Sequence, residues 1–340
     1  MERGLKPATY LLLGAALLTA LVLSVCLGSV SVPVSDVLTA IYRLILGQPV
    51  SQTGLAPIVA FVRLPRVLCV ALTGASLSVA GAAMQGLLQN PLADGTTLGV
   101  SAGASLGAVL AIAFGFAIPG LPLAGTMGTA TVFALFSLVL ILFLAERLDR
   151  SLSTGTIILI GVIFSMFANA IISLVVTFAG ERVRSIMFWT MGSLAGSSYQ
   201  NALVLLCALL VCGAVILKNA AELNAFAIGE SHARHIGVDT TRVRRTLLVA
   251  VSVLIGVTVS LGGTIAFVGL VIPHMTRLLT GPNHRRLLPA TLFFGPIFLL
   301  MCDLLGRVVL RPVELPIGVV TSFAGSIAFV YLFARARRAG

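Results

Sequence analysis

Residues 95–145 form a run of 51 positions without a single Asp, Glu, Lys or Arg. Eight more uncharged stretches cover 7–35, 44–62, 67–93, 151–180, 185–217, 246–276, 287–302 and 315–334. A helix that crosses a bilayer needs about 20 mostly apolar residues. Over the 340 residues 58% are hydrophobic and 10% charged, against about 25% charged in an average soluble domain. Such a chain cannot cover a globule with polar surface, which excludes a soluble enzyme. Disorder is excluded as well, because it requires low hydrophobicity. The composition specifies an all-α, polytopic membrane protein with lipid as its surroundings. The net charge of +11 would suggest nucleic acid in a soluble protein. Here it reports basic loops, and no nucleic-acid partner is expected.

The stretch 44–62 contains Gln48, Pro49, Ser51, Gln52, Gly54 and Pro57 and reads as a loop. The stretch 95–145 holds two helices, broken near Pro119-Gly120-Leu121-Pro122, and 287–302 continues past Asp303 to about residue 309. The count is nine helices, or ten if 246–276 is divided. Arg3 and Lys6 at one end and Arg335, Arg337 and Arg338 at the other place both termini in the cytoplasm, so the number of crossings is even. We therefore divide 246–276 at Gly262-Gly263 and expect ten transmembrane helices in a single domain, 1–340. On this map the cytoplasmic side holds 15 basic residues, including Arg147, Arg150, Lys218, Arg234, Arg242, Arg244, Arg245, Arg277, Arg285 and Arg286. The outer side holds seven: Arg43, Arg63, Arg66, Arg182, Arg184, Arg307 and Arg311. The first apolar run, Tyr10 to Gly28, is too long for the hydrophobic region of a cleaved signal and reads as a retained helix.

Little in the chain can do covalent chemistry. The cysteines, Cys26, Cys69, Cys207, Cys212 and Cys302, all fall in apolar spans and lack metal-ligand spacing. His232 and His235 have no third ligand nearby, so no metal site or cofactor is expected. A P-loop needs a Gly-rich turn ending in Lys-Ser or Lys-Thr, and neither Lys6 nor Lys218 has that context. An ion-coupled carrier keeps ionisable residues inside its spans. The only acids in or beside spans are Asp94, Asp303 and Glu314, and the map puts all three near span ends. The chain is therefore not an ATPase by that route, and its power source is expected in another subunit. An ion-coupled secondary transporter is the reading kept from a different class.

Several segments occur in a characteristic order: Arg63-Leu64-Pro65-Arg66, Gly81 to Gly86, Asn90-Pro91-Leu92-Ala93, Leu98 to Ala104, Leu223-Asn224, Ile228-Gly229-Glu230, His235 to Val238, Phe267 to His274, Gly281 to Pro289 and Glu314 to Gly318. From about residue 60 to the C-terminus the chain resembles the permease subunit of the vitamin B12, haem and ferric-siderophore ABC importers, the type II importers. The resemblance implies ten helices, two permeases (a homodimer or a pair with a similar chain), two copies of an ATP-binding subunit, and a periplasmic or lipid-anchored binding protein. It implies an inner-membrane location and a ferric siderophore as cargo, with haem or cobalamin as alternatives.

Site residues follow from the same resemblance. The polar loop 218–245, with glycines that permit tight turns, resembles the segment that docks on the ATPase. Leu223, Asn224, Gly229, Ala233, Gly237 and Val238 would make that contact. Arg63, Arg66 and Arg311, with Arg307 as the alternative to Arg311, match arginines that receive acids of the binding protein; snorkelling at a membrane edge is their ordinary alternative. Asn90 and Leu92, with Ser153 and Thr154, match positions that narrow the pathway at the cytoplasmic face. As ordinary structure, Asn90-Pro91 would end a helix and Ser153 would cap one. Gly99, Gly103 and Gly107, spaced by four, predict close helix packing. A faint echo at offset 182 (Gly74/Gly256, Ser78/Ser260, Gly81/Gly263) fits an inverted repeat.

Overall fold

The computed structural model describes residues 6–48, 54–95, 98–116, 122–149 and 153–338. Arg3, Arg150, Pro119-Gly120-Leu121, Thr96-Thr97 and the side chains of Arg335, Arg337 and Arg338 lie outside the described residues. The described chain is helical, with no strand: α1 (Pro7–Cys26), α2 (Val34–Ile45), α3 (Ala56–Ile58), a π-helical turn (Val59–Arg63), α4 (Leu64–Leu87), α5 (Val100–Phe114), α6 (Pro122–Leu148), α7 (Thr154–Phe178), α8 (Val183–Thr190), α9 (Tyr199–Lys218), α10 (Ala220–Ile228), α11 (Glu230–His235), α12 (Thr240–Gly262), α13 (Val268–Thr280), α14 (His284–Val308) and α15 (Ile317–Arg338).

Among the described residues seven helices are long and apolar enough to cross a membrane: α1, the continuous helix Ala56–Leu87, α6, α7, α9, α12 and α14. The apolar helices Val100–Phe114 and Ile317–Leu332 are shorter. α13 has 13 residues, about 20 Å at 1.5 Å per residue. The division expected at Gly262-Gly263 is present: α12 stops at Gly262, and Gly263 takes φ +70°. Both α5 and α13 begin behind a left-handed residue, Gly99 (φ +77°) and Phe267 (φ +67°).

Four features depart from the sequence expectation. α2 occupies a segment read as the end of one span and the start of a loop. The expected span 185–217 is two helices, parted at Gly192 (φ +75°) and restarted at Ser198, whose hydroxyl accepts the Asn201 N–H at 3.2 Å. Asp303, mapped to a span end, is buried within α14. Asp94 lines a cavity of about 60 Å³ with Leu77, Ile255, Val259 and Gly269. Leu77 lies midway along α4, so this acid reaches the middle of the bundle.

α4 is the hub. It is mostly buried, whereas α1, α6, α7 and α9 bury about a quarter of their length. It packs on α14, α13, α12 and α9. The closest approaches use glycine because no Cβ fits. A Cβ on Gly74 would meet the Gly295 carbonyl oxygen at 2.5 Å, and one on Gly81 would collide with the Gly269 backbone. Between those crossings Ser78 donates to Thr291 O of α14 at 2.8 Å. The spacing of Gly103 and Gly107 works similarly: both face α6, against Ser137 and Thr129. The two halves interleave, α4 packing on α13 and α14 while α12 packs on α5 and α6. The offset of 182 sets Gly74 and Ser78 of α4 against Gly256 and Ser260 of α12, and Gly81 against Gly263, one residue past the end of α12.

Replacing Gly81 by Leu is expected to destabilise the bundle by at least the 1–3 kcal/mol typical of overpacking. Gly128→Leu, where a Cβ meets nothing within 4 Å, is expected to change little. Thermal unfolding of the two purified variants in detergent checks the contrast.

Candidate functional site

Polar chemistry collects at the two ends of the bundle. At one end lie the short helices α10 and α11, joined through Gly229, whose φ of +142° only glycine adopts readily. α10 is fixed to both central helices. Gln89, past the end of α4, donates to Phe226 O at 2.7 Å. Asn224 donates to Asn283 Oδ1 at 3.0 Å and accepts the His284 backbone N–H at 2.8 Å, which holds the start of α14. α11 is fixed to α12: Glu230 pairs with the buried Arg244 at 2.6 Å and with Arg234 at 2.7 Å. The Arg244 guanidinium also lies 5.6 Å from the Phe226 ring centre.

Of the six residues expected on this docking segment, Leu223 and Ala233 are buried and Asn224 is engaged within the chain. Gly229 and Val238 are half-buried and Gly237 is exposed at φ +87°. The surface the segment offers consists of residues that were not among the six expected contacts: Ile228 (70% exposed), Ile236 (59%), His232 and His235. An apolar residue beside each turn glycine was the available signal.

The opposite end holds a buried cluster. Arg66 places Nη2 2.9 Å from Asp303 Oδ1 and Nη1 2.7 Å from Glu314 Oε2. Arg307 places Nε 2.8 Å from Asp303 Oδ2. Asp303 thus gives one carboxylate oxygen to each arginine and ties α4 to α14. The remaining arginine donors close the end of α1. Arg307 donates to Leu27 O and Ser24 O, both at 2.9 Å. Arg63 donates to Val25 O at 2.7 Å, Cys26 O at 3.0 Å and Val30 O. Ser24, Val25 and Cys26 lie in the last turn of α1, where a helix leaves its carbonyls without intrahelical partners. Gly28 leaves room for the arginines, since a Cβ there would sit 3.1 Å from both guanidinium groups. Of the three arginines expected to dock a partner, Arg63 and Arg66 are therefore buried and engaged inside the chain, and Arg311 is exposed.

The four expected gate residues occupy turns. Asn90 Oδ1 accepts the Leu92 N–H at 2.9 Å, closing the turn after α4 and leaving Leu92 55% exposed. Ser153 stands at the N-cap of α7, but its hydroxyl meets Thr156 Oγ1 at 3.0 Å and not a backbone N–H. The nearby acid is Asp149, which accepts the Ser153 N–H at 3.0 Å. Thr154 begins α7 and is half-buried. Sequence reasoning missed a further feature on α7. Asn169, Ser173 and Thr177 lie on one exposed face, together with Met166 (68% exposed). An exposed amide near the middle of an apolar span is costly in lipid. Among the described residues no three His, Cys, Asp or Glu side chains are grouped to hold a metal ion.

A bundle of apolar spans with a short-helix platform at one end and an ionic clasp at the other defines a polytopic transport protein. The chain matches the FecCD transport family over residues 16–335, and it belongs to that family: it is an ABC-importer permease. It is 38% identical over 340 residues to an uncharacterised ABC transporter permease, YvrB, of Bacillus subtilis, covering 99% of this chain and 96% of that one. It is 37% identical over 327 residues to the vitamin B12 import permease BtuC of Klebsiella pneumoniae (95% and 92% covered). It is 33% identical over 345 residues to the molybdate import permease MolB of Haemophilus influenzae (99% and 99%). A solved metal-chelate type ABC transporter in an inward-facing conformation superposes with a TM-score of 0.85 at 30% identity, covering 97% of this chain and all of that one.

Removing the Asp303 charge in Asp303→Asn leaves two buried arginines short of an anion and is expected to cost about 3–5 kcal/mol. Arg311→Glu, on the exposed loop, is expected to stay within about 0.5 kcal/mol. Thermal unfolding in detergent reads both.

Burial raises the Glu230 pKa, but the bonds and charges of Arg244 and Arg234 outweigh it and hold the carboxyl below its ordinary 4.5. A lowered carboxylate pKa stabilises the fold above its unfolded value and is lost as the pH falls through the folded one. Protease cleavage within 229–239 is therefore expected to rise only below about pH 4.5. In Glu230→Gln it is expected to be high already at neutral pH and to change little with acid.

Proposed function

We propose that this chain is the membrane subunit of an importer for metal chelates in the cytoplasmic (inner) membrane, a single domain that pairs with a second copy or a similar permease. Two ATP-binding subunits bind the α10–α11 platform, and a periplasmic or lipid-anchored binding protein docks at the opposite end. The observation that carries this reading is the platform itself. It presents Ile228 and Ile236 outward beside glycine turns while Asn224, Gln89 and Glu230 fix it to α14, α4 and α12. A displacement imposed on α10 therefore reaches the central helices directly.

The excess of basic residues on the platform side supports a ten-crossing topology with that side and both termini in the cytoplasm. The Asn169–Ser173–Thr177 face of α7 fits a water-lined passage shared with the second permease. Asn90, Leu92, Ser153 and Thr154 would narrow that passage at its cytoplasmic mouth, and Arg311 would receive an acidic residue of the binding protein.

A ferric siderophore is the cargo we assign. Of the relatives described above, none is named for a siderophore. The vitamin B12 permease among them favours cobalamin as a second reading. Binding assays on the cognate binding protein, with ferric siderophores, haem and cobalamin in parallel, decide between these.

Vesicles containing the chain, its ATP-binding subunit and its binding protein are expected to accumulate cargo only with ATP. Accumulation by the chain alone, driven by a proton or sodium gradient, would overturn the reading and turn attention to the mid-bundle Asp94. Ile228→Glu combined with Ile236→Glu is expected to lower uptake more than tenfold while docking of the binding protein persists. Arg311→Glu is expected to weaken that docking at low salt, with the difference fading near 1 M, where exposed charges are screened within about 3 Å.

A further inference from the structure

α2 has 12 residues, about 18 Å at 1.5 Å per residue, and is too short to cross a bilayer. At 3.6 residues per turn its side chains fall into three arcs. Val37 and Ala40 are buried against the bundle, with Ile41 and Leu44 half-buried beside them. Ser35, Asp36, Thr39 and Arg43 form a polar arc. Between these lies an uncovered apolar stripe: Val34 (52% exposed), Leu38 (62%), Tyr42 (63%) and Ile45 (78%). The protein thus covers only half of a continuous apolar arc.

The stripe adjoins a groove of about 450 Å³ between α2, α4 and α9, lined by Ile41, Leu44, Ile45, Leu64, Leu68 and Tyr199. The neighbouring spans α1 and α9 expose apolar side chains. α1 exposes Leu11, Leu12 and Leu18, and α9 exposes Leu203, Leu210 and Val211, side chains without a polar atom. This contrasts with α7, whose exposed face carries Asn169. The groove is one element away from the clasp at Arg63, so it sits at the end of the bundle opposite α10–α11.

We propose that α2 lies in the plane of the membrane as an anchor in that leaflet, its stripe among acyl chains, and that the adjoining groove holds one acyl chain of a phospholipid. A short helix with a wide apolar arc and an opposed polar face is the pattern of an interfacial helix. Beyond Gln200, the exposed side chains of α9 on from the groove (Leu203, Leu206, Leu210 and Val211) are apolar, and on that ground we assign lipid, not a second permease, as the occupant. The assignment rests on membrane embedding alone and stands independently of cargo and partners.

Trp189 is the only tryptophan in the chain, so one added indole can be followed against the parent emission. In vesicles doped with phosphatidylcholine brominated on its acyl chains, the added emission of Tyr42→Trp is expected to be quenched at least twofold, and aqueous iodide to leave it unchanged. Thr39→Trp, on the polar arc, is expected to behave in the opposite way. Quenching of both by iodide would place α2 in water and overturn the proposal. Shielding of the Tyr42→Trp indole from both quenchers would place it under a protein partner, with the same consequence. For the groove, native mass spectrometry of the purified protein is expected to show one retained phospholipid, lost in Leu68→Trp, which fills the groove. Absence of a retained lipid in the parent protein would remove the groove from the proposal.

Discussion

A helix that ends where water is scarce leaves carbonyl oxygens with no partner, and in lipid each such group costs several kcal/mol. This fold meets that constraint with side chains from other helices. Arg63 and Arg307 close α1. Arg182 closes α5 through Ala113 O at 2.6 Å. Tyr199 donates to Ala60 O, in the π-helical turn, at 2.6 Å. Thr264 donates to Thr190 O at the end of α8, and Gln89 to Phe226 O near the end of α10. Every one of these caps is also a contact between elements distant in sequence. Local backbone chemistry and tertiary assembly are therefore solved by the same bonds.

The clasp at Asp303 gains its importance from this economy. Without Asp303, Arg66 and Arg307 would be positive charges buried side by side next to Arg63. With it, each arginine is oriented by one carboxylate oxygen and keeps its other donors for Glu314 or the end of α1. The α4–α14 pair is then held at three heights: the ion pairs at one end, Gly74 against Gly295 with Ser78 on Thr291 O in the middle, and α10 bridging both helices at the other. Two helices joined at three heights move together more easily than they bend. That gives a physical basis for communication between the two polar ends.

Most of the architecture was legible in the sequence because apolar run length and charge bias act over tens of residues. The break at Gly262-Gly263 needed only the parity of crossings, and the close packing of Gly103 and Gly107 only their spacing. Other features were out of reach because they are set by tertiary partners. Nothing local reveals that Arg63 and Arg66 turn inward, since an arginine at a membrane edge reads identically whether it docks a partner, snorkels or caps a distant helix. Asp94 sits beside a turn motif, and nothing local shows that it shares a cavity with Leu77, Ile255 and Val259. The helix α2 was hidden by the proline and glycine that follow it, although its three-arc pattern was present to be read. Leu223 and Ala233 belong to the docking motif because they seat α10 and α11, which frees Ile228 and Ile236 to face outward.

That last distinction bears on how such motifs should be read. In the segment 218–245 several of the named residues seat α10 and α11 and do not form their outer surface. Gly229 and Gly237 set the chain direction, Asn224 and Glu230 set the attachment, and the outward side chains are left to match a particular partner. The same division holds at the other end, where Arg63, Arg66 and Arg307 build the surface from beneath and Arg311 stands on it. The residues of these segments thus divide between those that seat the platform, such as Leu223, Asn224 and Ala233, and those that face outward, such as Ile228 and Ile236.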